Sequence, residues 1–433
     1  MEKPREIAAR ILRRYASGGD YLEHVLETEL AKASLSPADR ALAQELTFGV
    51  VRWQATLDWL ISQKTDGRAQ KPPLQILLRL GLYQIFWLGR IPDHAAVHET
   101  VESAKQLGFS SQSRFINAVL RGYLREKDQT RERLKELKLR EPALGFSHPD
   151  WLVERWVQRW GEQATRQLLE WNNTPPPIYA RLNTLKTDAQ TLASHWEKEK
   201  VEFLPRQWSW SEDGRVFELT SHPPLTSLPS FQEGLFYVQD PSTLLAVREL
   251  DAKPGERLLD LCAAPGGKTT FIAQRMQNTG HILAQDLSEP RLDRVRENCQ
   301  RLGVTCVELG RLSSAVPGEP APALFDGVLV DAPCSNTGVM RRRVDVRWRI
   351  RPEEIQRLRA IQLDLLTQAA TRLRPGGRMV YSTCSLEPEE NEQVLQDFLA
   401  THPRFALVDK PRTLLPFVDG VDGAFVATLR LRE

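Results

Sequence analysis

From Pro4 to about Lys138, apolar residues recur three and four positions apart. Ile7, Ala8, Ile11, Leu12 and Tyr15 share one helix face, and Ile116, Val119, Leu120, Tyr123 and Leu124 share another. Pro72-Pro73 and Ile91-Pro92 interrupt the pattern, which predicts short helices with separate ends. No heptads are sustained, so a compact all-helical bundle is expected rather than a coiled coil. After residue 150 the text changes. Trp151, Trp156, Trp160, Trp171, Trp196, Trp208 and Trp210 crowd together, Pro175-Pro176-Pro177 breaks the chain, and Ile178 to Leu182 reads as a strand. A helical linker and a small α+β subdomain are expected here. The tryptophans are read as core and docking surface in preference to stacking on bases.

At Gln239-Asp240-Pro241-Ser242 a helix should begin, with Asp240 as cap and Pro241 in the first turn. Strand and helix then alternate. Strands are predicted at Leu258 to Leu261, His281 to Gln285, Thr305 to Leu309, Gly327 to Val330 and Arg378 to Ser382. Helices are predicted at Glu289 to Leu302 and Pro352 to Leu373, the second along a stripe of Ile355, Leu358, Gln362, Leu365, Leu366, Ala369 and Leu373. Such alternation predicts a parallel, right-handed α/β sheet. The implied domains are 1–140, 141–235 and 236–433.

The chain is long enough to bury several cores, and 41% apolar with 26% charged residues is ordinary for a soluble protein. A net charge of +2 supplies no global field for nucleic acid, so contact with it would need a local patch. Two stretches qualify. Arg121, Arg125, Lys127, Arg131, Arg133, Lys135, Lys138 and Arg140 are read as a solvated helix face or linker. Met340 to Arg351 holds six arginines and one tryptophan in twelve residues. Arginine binds phosphate bidentately and stacks on bases, so Arg341, Arg342 and Arg343 are expected to contact RNA. Five cysteines form neither a disulfide framework nor zinc-type pairs, which predicts a reducing, cytoplasmic setting and no metal. No signal-peptide core and no membrane-length apolar run appear, so no membrane partner is expected.

The candidate chemistry gathers at strand ends. Asp260 to Thr270, DLCAAPGGKTT, runs from a buried strand into a helix, with Pro265-Gly266-Gly267 as the crossing loop. Two glycines let the backbone approach a ligand, and in doubly wound sheets ligands bind at such a loop beside exposed helix amides. Gly267-Lys268-Thr269 ends like a phosphate-binding loop, but Cys262 stands where that motif needs its first glycine, which disfavours an NTPase. Asp286 closes the next strand, where a carboxylate can hold both hydroxyls of a ribose. Cys334, in VLVDAPCSNTG, and Cys384, in MVYSTCS, each directly follow a strand and are expected as reactive thiolates in one crevice. Cys299 and Cys306 are expected to be structural. Asp331 can bond substrate or cofactor, or cap its own loop.

DLCAAPGGKT, DAPCSNTG, YSTCS and DGAFVA (422–427) resemble the signature motifs of the RNA cytosine carbon-5 methyltransferases of the Nol/Nop/Sun group. RFINAVLR (114–121), ARLNTLK (180–186) and VQDPS (238–242) are similar to the Sun/Fmu (RsmB) type, and the likeness spans essentially the whole chain. The resemblance implies a NusB-like helical domain, a small RNA-recognition-like subdomain and a Rossmann-like methyltransferase domain. S-adenosylmethionine is the implied cofactor, cradled by Cys262, Ala263, Ala264, Pro265, Gly266, Gly267 and Lys268, with Asp286 on its ribose and Asp331 lining the site. Cys384 would be the nucleophile and Cys334 would help release product. The implied substrate is a cytosine of small-subunit (16S) ribosomal RNA, handled by a monomer. Three positions depart from the family pattern: Asn336 replaces Gly or Ala, Arg343-Val344-Asp345 replaces His-Pro-Asp, and Gly310-Arg311 replaces Gly-Asp, whose acid would reach the adenine. Either Glu308 or a neighbour is expected to substitute for that acid, or the adenine is held otherwise. An RNA-binding assembly factor without turnover is the competing reading, which retention of both cysteines disfavours.

Overall fold

Proline at the first turn starts three of the N-terminal helices, Pro4–Ala16, Pro37–Arg52 and Pro72–Trp87, and the Ser36 hydroxyl accepts a hydrogen bond from the Asp39 amide at 3.1 Å to cap the second. The computed structural model describes residues 3–212, 214–312 and 324–432. It divides into two compact units, one running to Thr174 and including Met340–Arg349, the other made of Pro175–Val339 and Ile350–Glu433.

The first unit is helical throughout its described residues, and the predicted stripes form its core, with Ile7, Ile11, Ile116 and Leu120 fully buried. The expected linker from residue 141 includes the helix Asp150–Asn173, kinked at Gly161, and this helix belongs to the helical unit. The basic run ending the bundle is a solvated face: Lys127 pairs with Asp93, Arg131 with Asp128, Arg133 with Glu126 and Lys135 with Glu132, while Lys138 lies over Trp53 and Phe146.

In the arginine segment after residue 340 the structure turns Arg341, expected on RNA, inward. Arg341 is buried with its guanidinium 3.9 Å from the Trp171 ring centroid, and Val344 sits in the helical core. Asp345 accepts the Leu22 amide at 3.1 Å, capping a helix start. Arg347 is fully buried and donates to the carbonyls of Arg52, Ser147 and Asn172 and to Asn173 Oδ1, all within 3.2 Å. Arg349 donates to the carbonyls of Asp20 and Gly19. A guanidinium has five donors in a rigid fork, and here buried backbone acceptors use them instead of phosphates. Of the three arginines expected on RNA, only Arg343 is exposed and Arg342 half-buried. Replacing Arg347 by Met should destabilise the helical unit by about 3–5 kcal/mol, because three buried carbonyls and the part-buried Asn173 Oδ1 lose their donor. Hydrogen exchange across the helix Asp150–Asn173 reads this directly, and unchanged protection would refute it.

The second unit begins with β1 (Ile178–Leu182), the helix Ala189–Glu199, β2 (Glu202–Arg206), β3 (Val216–Ser221), a short helix Pro229–Gln232 and β4 (Phe236–Val238). The antiparallel sheet runs β2-β3-β1-β4, a ferredoxin-like arrangement. Trp196 fills its core against Phe203, Phe217 and Phe236, with ring centroids 4.9–5.4 Å apart. The ARLN stretch docks this sheet onto the helices Gly267–Arg275 and Glu289–Leu302. Arg181 donates to the Gly267 carbonyl and Thr270 Oγ1, while Asn183 donates to the carbonyls of Gly234 and Leu302 and accepts from Gln274 and the Leu185 amide.

The remaining strands are β5 (Arg257–Leu261), β6 (His281–Asp286), β7 (Val307–Arg311), β8 (Phe325–Asp331), β9 (Leu373–Thr383), β10 (Phe405–Leu407), β11 (Arg412–Leu414) and β12 (Ala424–Leu431). They form one sheet in the order β10-β12-β9-β8-β5-β6-β7, with β11 on β12. The five predicted strands are parallel, but β10, β11 and β12 add antiparallel pairings, so the sheet is mixed. The helix Glu289–Leu302 has its predicted limits; the next helix stops at Ala370, and Leu373 already opens β9.

Candidate active site

Every loop of interest leaves the carboxyl end of a central strand. After β5 the chain turns at Cys262, in the left-handed region at φ 63°, and at Gly266, φ 100°, before the helix Gly267–Arg275. The loop is fixed from both sides. The Ala263 amide donates to the Gln285 carbonyl, the Ala264 amide to Asp286 Oδ2, and Asn298 to the Pro265 carbonyl. A side chain at Gly267 would crowd Tyr237 and Gln239 at 3.0–3.1 Å, so the glycine allows the subdomain to close over the loop.

Three carboxylates converge below it. Asp260 is buried and accepts from Thr269 at 2.6 Å through Oδ2, while Oδ1 has no partner among the described residues. Burial first, then Asp331 and Asp286, push its pKa up to about 7. Asp331 accepts from Lys268 Nζ at 2.7 Å and from the Ser382 hydroxyl at 2.6 Å. Burial opposes the Lys268 charge, but Asp331, Cys384 and Asp260 together raise its pKa. Asp286, at the end of β6, accepts the amides of Ala264 and Leu287, with Arg291 at 3.3 Å. A carboxylate offers about four lone-pair sites, so these three partners leave one able to accept a ribose hydroxyl. The orphaned Asp260 oxygen and this acidic wall suit a ribose-bearing ligand with positive charge.

Glu308 does not take the place of the acid missing at Gly310-Arg311. Its carboxylate pairs with His281 at 2.8 Å near the start of β6, whereas Arg311 lies in register with Asp286.

The two strand-end cysteines meet. Cys334 Sγ and Cys384 Sγ are 3.2 Å apart, and the Cys384 thiol also lies 3.2 Å from Asn336 Oδ1, whose amide nitrogen donates to the Cys334 carbonyl. Asn336 adopts φ 61°, which explains why a glycine suits the position, and it uses the strained turn to place an amide against the second sulfur. Gly338 and Gly423 let the loops approach: the Gly338 amide donates to the Cys384 carbonyl, the Gly423 amide to the Gly338 carbonyl, and a side chain at Gly338 would strike both. The DGA stretch therefore braces the cysteine pair.

Burial and the nearby acids push the Cys262 thiol up to about 12, and burial pushes Cys299 up to about 12, so neither serves as a thiolate. Cys334 is held well above the usual thiol range, first by its hydrogen bond to Cys384 and then by burial. Cys384 is the partly exposed member of the pair and the one whose charge Lys268 senses. Sequence reading missed Asp260, Ser382 and Glu390 as parts of this site. Asp260 carried a signal, an acid at a strand end; Glu390, in an acidic run, carried none.

Among the described residues no cluster could hold a metal ion, and no helix is long and apolar enough to cross a membrane.

Comparison with known proteins matches three parts of the chain: a NusB family model over residues 2–125, the ferredoxin-like domain of RsmF/B-like methyltransferases over 148–214, and the 16S rRNA methyltransferase RsmB/F model over 247–430. A probable ribosomal RNA small subunit methyltransferase B of Synechocystis is 36% identical over 99% of this chain and 100% of its own length. The protein named ribosomal RNA small subunit methyltransferase B in Pectobacterium carotovorum is 36% identical, with 98% of each covered. Among solved structures, PH0851 superposes with a TM-score of 0.78 at 26% identity over 99% of each chain. A methyltransferase homolog protein from Pyrococcus horikoshii reaches 0.58 at 36% identity, covering 67% of this chain and 97% of its own.

Proposed function

The chain belongs to the RsmB/F family of 16S ribosomal RNA methyltransferases, and on that premise we propose that it methylates carbon 5 of a cytosine through a covalent Cys384–cytosine intermediate. The observation that carries this reading is the 3.2 Å contact between Cys384 and Cys334 beside the Asp260–Thr270 loop. The cofactor is S-adenosylmethionine, which supplies a methyl group on a sulfonium. The loop 262–268 and Asp286 would hold it, and its positive charge suits the wall of Asp260, Asp286 and Asp331.

Carbon 5 of cytosine is a poor nucleophile. Addition of the Cys384 thiolate to carbon 6 makes it an enamine carbon, able to attack an electrophilic methyl. After methylation the carbon-5 proton must leave so that the electron pair can expel the thiolate. Cys334 is suited to take it at that moment. Its resting proton is held first by the bond to Cys384 and then by burial; bonding of Cys384 to carbon 6 removes the first of these, so Cys334 can release its own proton to solvent before it takes the one from carbon 5. A base paired within RNA cannot reach the crevice, so the target must lie in a loop or be flipped out. Nucleoside analysis of unmodified small-subunit RNA incubated with the protein and labelled cofactor should yield 5-methylcytidine; label on another atom would overturn the reading.

Asp260 gives this site a pH dependence. A carboxyl raised to about 7 binds its proton more tightly folded than unfolded, so it is neutral below that value and an added negative charge above it. Affinity for S-adenosylmethionine should rise between pH 6 and 8 by up to about tenfold. The neutral thioether product, S-adenosylhomocysteine, should respond less, and Asp260→Asn should flatten the difference. Equal pH responses of the two ligands by calorimetry would exclude this role.

A further inference from the structure

Glu387-Pro388-Glu389-Glu390-Asn391-Glu392 looks like solvent-facing chain, yet Glu390 is fully buried between the two cysteine loops. Its Oε1 accepts from the Ser335 amide at 2.8 Å and from Gln362 Nε2 at 3.0 Å, and its Oε2 accepts from the hydroxyls of both Ser335 and Ser385. Ser335 directly follows Cys334, and Ser385 directly follows Cys384. The two hydroxyls stand 3.0 Å apart on the one carboxylate. A buried carboxylate is costly unless donors converge on it, so this group and its donors specify a single arrangement of the loops.

We propose that Glu390 is a positioning residue: acting through Ser335 and Ser385, it sets the spacing of the two sulfurs, and with it the release step assigned to Cys334. The enzymatic half of this inference rests on the covalent reading above. The dependence is unequal between the loops. The Cys384 side is also held by Thr383 on Asn391 Oδ1, Asn391 on the Ser385 carbonyl and the Leu386 amide on Thr337. On the Cys334 side Glu390 holds a backbone amide, that of Ser335, where on the Cys384 side it holds only a hydroxyl, and its partner Gln362 donates to the Pro333 carbonyl as well; the other bonds there are made by side chains, Ser335 Oγ with Ser385 and Thr337 and Asn336 with the Cys334 carbonyl. Loss of the carboxylate therefore displaces Cys334 more than Cys384.

Two measurements on the full chain test this. With unmodified small-subunit RNA and S-adenosylmethionine, Glu390→Ala should lower turnover by about 10²-fold, the cost of a misplaced group, and should accumulate a covalent protein–RNA band on denaturing gels. That band requires an active Cys384, so a merely unfolded variant cannot give it, and it should vanish in Glu390→Ala/Cys384→Ala. Glu390→Gln, which keeps the volume and can exchange hydrogen bonds with both hydroxyls, should restore most turnover. Lost turnover without the band, or a Gln variant no better than Ala, would overturn the release role.

The second measurement needs no RNA. Diamide takes two electrons and two protons from a thiol pair as the sulfurs join, and peptide mass mapping tracks the Cys334–Cys384 bond. Glu390→Ala should slow its formation at least about tenfold, on the same sensitivity of rate to misplacement, and Glu390→Gln should not. An unchanged rate in Glu390→Ala would overturn the positioning role whatever the enzyme does. Absence of any RNA adduct even in Cys334→Ala would count against the covalent reading alone, and the crosslinking rate would then decide the role of Glu390.

Discussion

Cys384→Ala should abolish methyl transfer, lowering its rate by on the order of 10⁴-fold or more, the scale on which removal of a covalent nucleophile is felt. The assignment does not rest on the cysteine count. Cys262 and Cys299 are pushed up to about 12, and Cys334 is held protonated by its own neighbour. Cys384 alone of the strand-end pair is partly exposed, and its charge is one of those that raise the pKa of the half-buried Lys268 ammonium. Affinity for S-adenosylmethionine should survive the substitution, because the loop 262–268 and Asp286 are held by backbone bonds that do not involve Cys384. Measuring transfer and cofactor binding on one preparation separates the roles. Activity equal to that of the unaltered protein would remove the mechanism.

One physical divide separates the features the sequence exposed from those it concealed. Local rules act within a few residues, and they located the Asp260–Thr270 turn, the helix Glu289–Leu302 and the strand ends that carry Asp286, Asp331, Cys334 and Cys384. Strand limits were less legible. β7 starts at Val307, two residues late, because the Thr305 amide is taken by Asn278 and the ladder with β6 begins at the Cys306 carbonyl. β12 was not read as a strand, since its antiparallel place beside β9 depends on a partner far away in sequence.

Charge misled most. Arg341, Arg347 and Glu390 are residue types that ordinarily face water, and only distant partners make their burial tolerable: Trp171 for Arg341, four oxygens for Arg347, and two serines with Gln362 for Glu390. A run such as Met340 to Arg351 can therefore look like an RNA-binding patch while its segment Met340–Arg349 is built into a helical unit. The acid missing at Arg311 is a different case. There the register shows which residue stands beside Asp286, and that residue is a cation.

Cys334→Ala should do the opposite of Cys384→Ala: it should leave addition and methylation in place and trap the RNA on the protein. Addition depends on Cys384 and its surroundings, and an Ala at 334 leaves Asn336 and Lys268 in position, since Asn336 bonds the Cys334 backbone carbonyl and Lys268 bonds Asp331. Elimination depends on a group that can accept the carbon-5 proton after the sulfur pair has been separated by alkylation. With Cys334 gone, the acids around the site are Asp331, Glu390 and Asp260. Asp331 is engaged by Lys268 and Ser382, Glu390 by Ser335, Ser385 and Gln362, and Asp260, bonded to Thr269 through one oxygen, is the acid assigned to the cofactor's charge, so none is placed to stand in. The covalent species should form stoichiometrically, contain one methyl group per RNA, and decay at least about 10²-fold more slowly than turnover of the unaltered protein, the range general-base catalysis contributes. Gel shift under denaturing conditions with methyl-labelled cofactor measures all three. An adduct without label would place the block before methylation, and no adduct at all would assign the carbon-5 proton to some other group.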